Sequence, residues 1–167
     1  MPRLIVLSGL PGVGKSEVAR EVAAQTDALW LRVDTVEAGI LRAGVPRSFE
    51  TGLAAYLIIQ DLAALRLRAG GDVVVDAVNG VEPAREVWRQ LGRTTDVRLF
   101  VFEIVCPDPV EHRRRVESRT SATPPLPAPT WEDVQRTEYL PWTGVVERLD
   151  ARRPPLENAE RIVRQTR

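Results

Sequence analysis

Apolar residues come along this chain in short unbroken runs that alternate with helical spacings. The run Leu4-Ile5-Val6-Leu7 has no polar alternation, which marks a strand covered on both faces, as in a parallel sheet. Over 15–25, Val18, Ala19, Val22 and Ala23 recur at helical spacing. Residues 29–33 read as a second short strand, 35–43 as a helix, and Gly44-Val45-Pro46 as its break. A longer apolar helix over 53–69 closes in Gly70-Gly71. Val73-Val74-Val75 is the clearest buried strand, and it ends in Asp76. Pro83 opens a helix to about residue 91, with Gly92 as its stop. Residues 97–105 form a strand ended by Cys106-Pro107, and Asp108 and Pro109 cap and open a helix that carries through Arg119. The stretch 120–130, TSATPPLPAPT, is proline-rich, excludes regular structure and reads as a mobile connector. A helix over 131–139 capped by Thr130, a strand over 145–149 and a helix over 156–163 complete the chain. Strands alternating with helices predict an α/β layer structure with a mainly parallel sheet.

Length and charge narrow the classes. At 167 residues the chain suits one well-buried domain, 1–167. Its 23 basic and 23 acidic residues cancel, so no global positive field argues for wrapping nucleic acid, although a local patch stays open. Cys106 is the sole cysteine and has no internal disulfide partner, which suits a reducing cytoplasm. The N-terminal apolar run is too short for a signal peptide or a membrane span. The basic residues are arginines with one exception, Lys15. Surface positions exchange lysine for arginine at little cost, whereas a site needing a compact ammonium on a thin stem does not.

That lysine lies in GLPGVGKS, Gly9-Leu10-Pro11-Gly12-Val13-Gly14-Lys15-Ser16, followed by Glu17. The spacing G-x-x-x-x-G-K-[ST] is the P-loop, or Walker A. Glycines let backbone N–H groups turn inward around phosphate oxygens, the lysine reaches the outer phosphates, and the Ser16 hydroxyl can ligate magnesium. The loop follows a strand and opens a helix, whose N-terminus favours an anion. A guanine-reading Asn-Lys-x-Asp is excluded in a chain whose one lysine sits in the loop.

Four further features favour passing a phosphoryl group to a second substrate. Asp34 ends the second strand, at the carboxyl edge where open α/β sheets bind ligands. A carboxylate there can accept the proton of an attacking hydroxyl. Asp34 and Glu37 also spell a helix N-cap box, and both roles can coexist. Asp76 closes the most apolar strand in the manner of a Walker B acid, holding magnesium directly or through water. It is also a natural turn residue before Ala77-Val78-Asn79-Gly80, and Asn79 is a weaker candidate for hydrogen bonding to substrate. Arg113, Arg114, Arg115 and Arg119 form a basic cluster in which Arg115 and Arg119 share a helical face. Such arginines neutralise charge developing in transfer; the competing reading is a solvated face with Glu111 paired to Arg115. With the proline-rich stretch they suggest a lid over about 108–130 that excludes water. Finally, the loop from Leu149 to Pro155 lies where an adenine could rest, or is a plain strand-to-helix turn.

His112, beside arginines, reads as a surface residue, and a metal cluster around this sole histidine is not expected. Cys106 reads as a packing residue; Trp131 and Trp142, which flank the connector, could stack on a base or ring but read first as packing residues.

The P-loop with "RVDTVEAGILRAG", "GGDVVVDAVNG", "EHRRRVESR", "PTWEDVQ" and "LDARRPPLENAERIV" resembles the small P-loop kinases of the AAA-annotated ATP-binding group. These are similar to zeta-toxins, polynucleotide kinases and chloramphenicol phosphotransferases. The resemblance spans nearly the whole chain. It implies a P-loop NTPase fold: three α/β/α layers, a five-stranded parallel sheet in the order 2-3-1-4-5, and a helical lid, matched here through blocks spread along the sequence. It also implies ATP with magnesium. Carried over, Gly9, Gly12, Gly14, Lys15 and Ser16 would bind ATP, Asp34 would deprotonate the acceptor hydroxyl, and Arg115 and Arg119 would be the paired lid arginines. The acceptor segment, Ile40 to Tyr56, with Arg42, Arg47, Ser48 and Glu50, matches no acceptor signature.

The leading expectation is an ATP-dependent phosphotransferase acting on a hydroxyl of a small molecule such as a nucleoside, nucleotide or antibiotic. A nucleoside monophosphate kinase would need arginines beside its acceptor, which Arg42 and Arg47 keep open. A polynucleotide 5′-hydroxyl kinase is disfavoured by zero net charge, not removed by it. A nucleotide-binding regulator with little turnover is the remaining alternative.

Overall fold

The computed structural model describes residues 1–119 and 124–167. Of the connector expected over 120–130, residues 120–123 lie outside the described residues, and 124–130 form turns without helix or strand. The strands are β1 (Arg3–Ser8), β2 (Leu29–Arg32), β3 (Val73–Asp76), β4 (Arg98–Val105) and β5 (Glu147–Asp150). The helices are α1 (Lys15–Thr26), α2 (Val33–Arg42), α3 (Phe49–Arg68), α4 (Glu82–Thr95), α5 (Pro109–Glu117), α6 (Trp131–Arg136) and α7 (Pro155–Thr166). All strand pairs are parallel and the sheet order is β2-β3-β1-β4-β5, as the resemblance implied.

Period-two geometry splits each apolar strand between two cores. Ile5, Leu7 and Val74 meet Val18 and Val22 of α1 and Ile162 of α7 on one face. Leu4, Val6, Val73 and Val75 meet Ile59 and Leu67 of α3 and Trp88 and Leu91 of α4 on the other. The unbroken runs of β1 and β3 therefore reflect burial from both sides, and three α/β/α layers result.

Several boundaries differ from expectation, each for a local reason. The second strand stops at Arg32, so Asp34 is the second residue of α2; the N-cap is Arg32, with no side-chain cap bond. The capping-box reading of Asp34 and Glu37 is thus replaced by a place in the first helical turn. Helix α3 begins at Phe49, four residues before its apolar face, because Ser48 and Thr51 cap each other reciprocally. Gly92 does not stop α4, which runs to Thr95 and ends at Asp96 in a left-handed conformation. Helix α5 ends at Glu117 with Ser118 as its cap, which leaves Arg119 beyond the helix rather than on it. Helix α6 ends at Arg136, short of the expected residue 139. The last strand starts at Glu147, and Val145, which pattern alone placed in it, is fully exposed.

Candidate active site

The P-loop connects β1 to α1 with three glycines in the left-handed region: Gly9 at φ 144°, Gly12 at 84° and Gly14 at 92°. Crowding requires two of them as well. A Cβ on Gly9 would run into the Ile104 carbonyl, and one on Gly12 into the Val116 side chain of α5. Gly14 is the N-cap of α1, so the helix N-terminus opens directly behind the loop.

Lys15 is 8 % exposed and its Nζ donates to the Leu10 carbonyl at 3.0 Å, across the loop. Burial lowers its pKa; Asp76 and Asp34 pull it back up, and Arg119 opposes them. Ser16 Oγ donates to Asp76 Oδ2 at 2.6 Å. Asp76 is 6 % exposed, and burial raises its pKa while Lys15, the Ser16 hydroxyl and Arg32 lower it. Arg32 Nε stands 3.4 Å from Asp76 Oδ2. That is a charge contact without hydrogen-bond alignment, because Nε has no hydrogen-bond partner among the described residues. Arg32 also reaches Asp34 at 3.9 Å.

A cavity of about 410 Å³ opens on one side of the loop. Lys15, Ser16, Asp34, Asp76 and Arg119 all line it, with Pro11, Gly12, Gly14 and Glu17 from the loop end. Its far wall comes from Glu37, Arg47, Tyr56, Asp133 and the turn 126–129. A second cavity of about 470 Å³ lies on the other side, walled by Val13, Arg115, Arg119, Asn158 and the loop 151–155 after β5. Gly12, Gly14, Glu17 and Arg119 line both. Arg115 is held for the second cavity by Glu111 at 2.7 Å and by the Ala151 carbonyl at 2.8 Å. Arg113 instead pairs with Glu117 at 2.7 Å on an exposed surface.

Not every expected residue comes to the cavities. Gly9 and Leu10 line neither; they shape the turn and receive Lys15. Arg42 is exposed and donates to the Pro124 carbonyl at 3.1 Å, outside the cavity linings. Its neighbour Arg47 lines the first cavity instead, 3.3 Å from Glu37. Asn79 is fully buried and its side chain is spent inside. Its Oδ1 accepts from Trp88 Nε1 at 2.7 Å, and its Nδ2 faces the Leu7 and Ala77 carbonyls. Asn79 therefore braces the loop after β3, and the expected contact with substrate is corrected to this structural bond.

His112 is also corrected. It is buried, not on the surface, because its Nε2 bonds the Pro11 carbonyl at 2.8 Å and its ring packs edge-on against Trp131 at 5.2 Å. It ties α5 to the P-loop and to α6. Trp142 packs as expected: its Nε1 donates to Ser8 Oγ at 3.1 Å and its ring carries the buried Arg85 guanidinium at 4.2 Å.

The sequence reading missed Tyr56, Glu37 and Asp133 as cavity residues. Tyr56 OH accepts the Asn79 N–H at 3.2 Å. Burial pushes its pKa up to about 12, so it keeps a proton to donate. The one legible signal was a tyrosine breaking an otherwise aliphatic face of α3. Asp133 was visible only as a residue of α6; it caps that helix through Thr130, which holds its pKa low.

Serine hydroxyl and carboxylate oxygens at 2.6 Å form an all-oxygen set, the donor chemistry a magnesium ion beside a phosphate prefers. Among the described residues no cluster of three or more His, Cys, Asp or Glu forms a metal site, and no helix is long and apolar enough to cross a membrane.

Known structures share this fold. A sugar kinase from Janibacter sp. HTCC2649, in an unliganded structure, superposes with a TM-score of 0.72 at 20 % identity, covering 98 % of this chain and 94 % of that one. The APS kinase of Mycobacterium tuberculosis, in complex with AMPPNP and APS, gives 0.71 at 21 % identity, covering 98 % and 96 %. A gluconokinase from Sinorhizobium meliloti 1021 gives 0.67 at 19 % identity, covering 99 % and 98 %. At these identities the likeness is one of fold, the P-loop kinase fold. No curated protein matches the chain. A family model described as an AAA domain, AAA_33, matches residues 4–141, and the chain belongs to that family.

Proposed function

We propose that this protein is an ATP-dependent phosphotransferase that moves the γ-phosphate to a hydroxyl of a small molecule, in the class of a nucleoside, nucleotide or antibiotic. The observation that carries the reading is one cavity in which the P-loop lysine, the Ser16–Asp76 pair, Asp34 and Arg119 all face the same space. The second cavity, beyond the glycines, is the natural seat for the nucleoside half of ATP, with Arg115 and the loop 151–155 along it. Fold neighbours that are kinases support the same class.

In this reading Pro11 to Glu17 hold the phosphates through backbone N–H groups and the α1 N-terminus. Ser16 and Asp76 would hold magnesium, which neutralises phosphate charge. Lys15, Arg115 and Arg119 stabilise the transferring group. Asp34, 57 % exposed at its side chain, orients the acceptor hydroxyl and takes its proton. The chain works as one domain, with α5 and the turn 124–130 covering the cavities as a lid. Its single cysteine fits work in the cytoplasm.

The test is ADP release from magnesium-ATP across nucleosides, nucleoside monophosphates, 5′-hydroxyl oligonucleotides, sugars and hydroxylated antibiotics, with Asp34→Asn beside the parent. A hydroxyl kinase releases ADP with one acceptor class and loses about 10³-fold in kcat in the variant. Release only with monophosphates, insensitive to Asp34→Asn, replaces the reading with a nucleotide kinase. ATP binding without acceptor-dependent release replaces it with a regulator.

A further inference from the structure

The far wall of the first cavity has a charge pattern that reads its acceptor. Three carboxylates face it, Asp34, Glu37 and Asp133, against one guanidinium, Arg47. That guanidinium is not free to bind an anion. Its Nε is 3.3 Å from Glu37 Oε1, and Asp133, whose pKa the Thr130 hydrogen bonds hold low, feels Arg136 and then Arg47 as well. Thr130 N–H and Oγ1 bind Asp133 Oδ2 at 2.8 and 2.7 Å, which fixes the carboxylate at the start of α6. Arg42, the other basic residue of this segment, is turned to the Pro124 carbonyl outside the cavity. The positive groups that do face the cavity near the loop, Lys15 and Arg119, stand where the phosphates of the donor go. Tyr56 adds a neutral hydroxyl beside them.

The partners of these carboxylates, Arg32 at 3.9 Å from Asp34 and Arg47 at 3.3 Å from Glu37, are already engaged, so an acceptor phosphate or carboxylate placed against this wall would meet three carboxylates and no free cation among the described residues, and like charges at close range are strongly disfavoured. An ammonium there would gain two fixed carboxylates. From this wall, and resting on the phosphotransferase reading above, we infer that the acceptor is a hydroxylated amine: a neutral-to-cationic alcohol that offers its hydroxyl to Asp34, an oxygen to the Tyr56 phenol, and its ammonium to Glu37 and Asp133. Anionic acceptors, nucleoside monophosphates among them, are turned away by the same residues.

The test uses one pyranose scaffold at four charges: glucosamine, glucose, glucuronate and glucose 6-phosphate. Ligand-observed NMR with the non-hydrolysable ATP analogue AMPPNP reads binding without turnover, and ADP release reads transfer. The expected result is binding of the amine at least about tenfold tighter than of either acid, with the neutral sugar between. Glu37→Gln should shrink that preference severalfold, and Glu37→Gln with Asp133→Asn should abolish it. Asp133 also caps α6, so thermal unfolding is run on both variants, and the single variant carries the test if the double one is unstable. Equal or tighter binding of the acids, or a preference unchanged in Glu37→Gln, overturns the inference. The two proposals fail separately. Charge-selective binding without transfer to any acceptor refutes the kinase and leaves the wall as read, whereas transfer to an acid refutes the wall and leaves the kinase.

Discussion

The two ends of the first cavity are built on opposite principles. At the P-loop end the groups are buried: Lys15 is 8 % exposed and Asp76 6 %. At the far end Asp34 and Arg47 stand in water, with side-chain exposures of 57 % and 65 %, although Glu37 and Tyr56 beside them are largely buried. Burial makes the first end rigid and costly. Taking Lys15 out of water lowers its pKa, and taking Asp76 out raises its own, in spite of their mutual attraction. Each shift says that the charged form is less at home in the folded protein than in the unfolded chain. The P-loop end thus holds charges that weaken the fold, whereas the exposed charges of the far end, Asp34 and Arg47, cost it little.

Removing the buried charge breaks that contrast most sharply. Lys15→Met is expected to lower kcat/KM by about 10³-fold while raising the melting temperature of the protein without nucleotide. Steady-state kinetics and thermal unfolding on one preparation check both. The signs follow from linkage. Between the lowered folded pKa of Lys15 and 10.5 the unfolded chain holds more protons, so stability rises with pH there, and the variant loses that rise. Between 3.8 and the raised folded pKa of Asp76 the folded chain holds more protons, so stability falls as pH rises. A melting temperature that drops in Lys15→Met would show that the lysine stabilises the fold, and the contrast would be gone.

The brace behind the acceptor wall comes next. Trp88 is 1 % exposed, donates to Asn79, and lies 5.9 Å from the Tyr56 ring. Trp88→Ala should cost about 3 kcal/mol in denaturant unfolding, with acceptor KM rising more than ATP KM because Tyr56 loses its backing. Tyr56→Phe is milder. It strips the partner from the Asn79 N–H and should cost about 1 kcal/mol; a raised acceptor KM with unchanged ATP affinity separates it from a general loosening. Arg42→Ala is the smallest change. The guanidinium touches only an exposed carbonyl among the described residues, and activity should stay within about twofold. A large loss would put Arg42 back at the acceptor.

The same contrast explains what the sequence disclosed. The phosphate end is local: eight consecutive residues carry its backbone turns, its lysine and its hydroxyl, and a spacing rule reads them at sight. The sheet order followed from blocks that resemble a known family. Arg115 and Arg119 do meet at the second cavity, although α5 ends between them. The acceptor end is assembled from α2, the segment before α3, α3 itself and α6, which no spacing connects. Glu37 looked like a capping residue, and Asp133 and Tyr56 were legible only as members of the helices expected over 131–139 and 53–69. Asn79 and His112 erred in the same way from the other side. Both are polar residues in loop-like or basic surroundings, and both are buried because each found a specific internal partner, Trp88 for one and the Pro11 carbonyl for the other.

Lys15 has one more consequence, outside catalysis. It is the sole lysine among 167 residues, and burial lowers its pKa, so more of it is unprotonated amine at neutral pH than of an ordinary surface lysine. The chain therefore offers a single side-chain amine to acylating reagents, and it sits inside the phosphate cradle. Acylation at Lys15, read by peptide mapping apart from the N-terminal amine, would mark that position, and its protection from labelling would report occupancy of the P-loop without need of an acceptor.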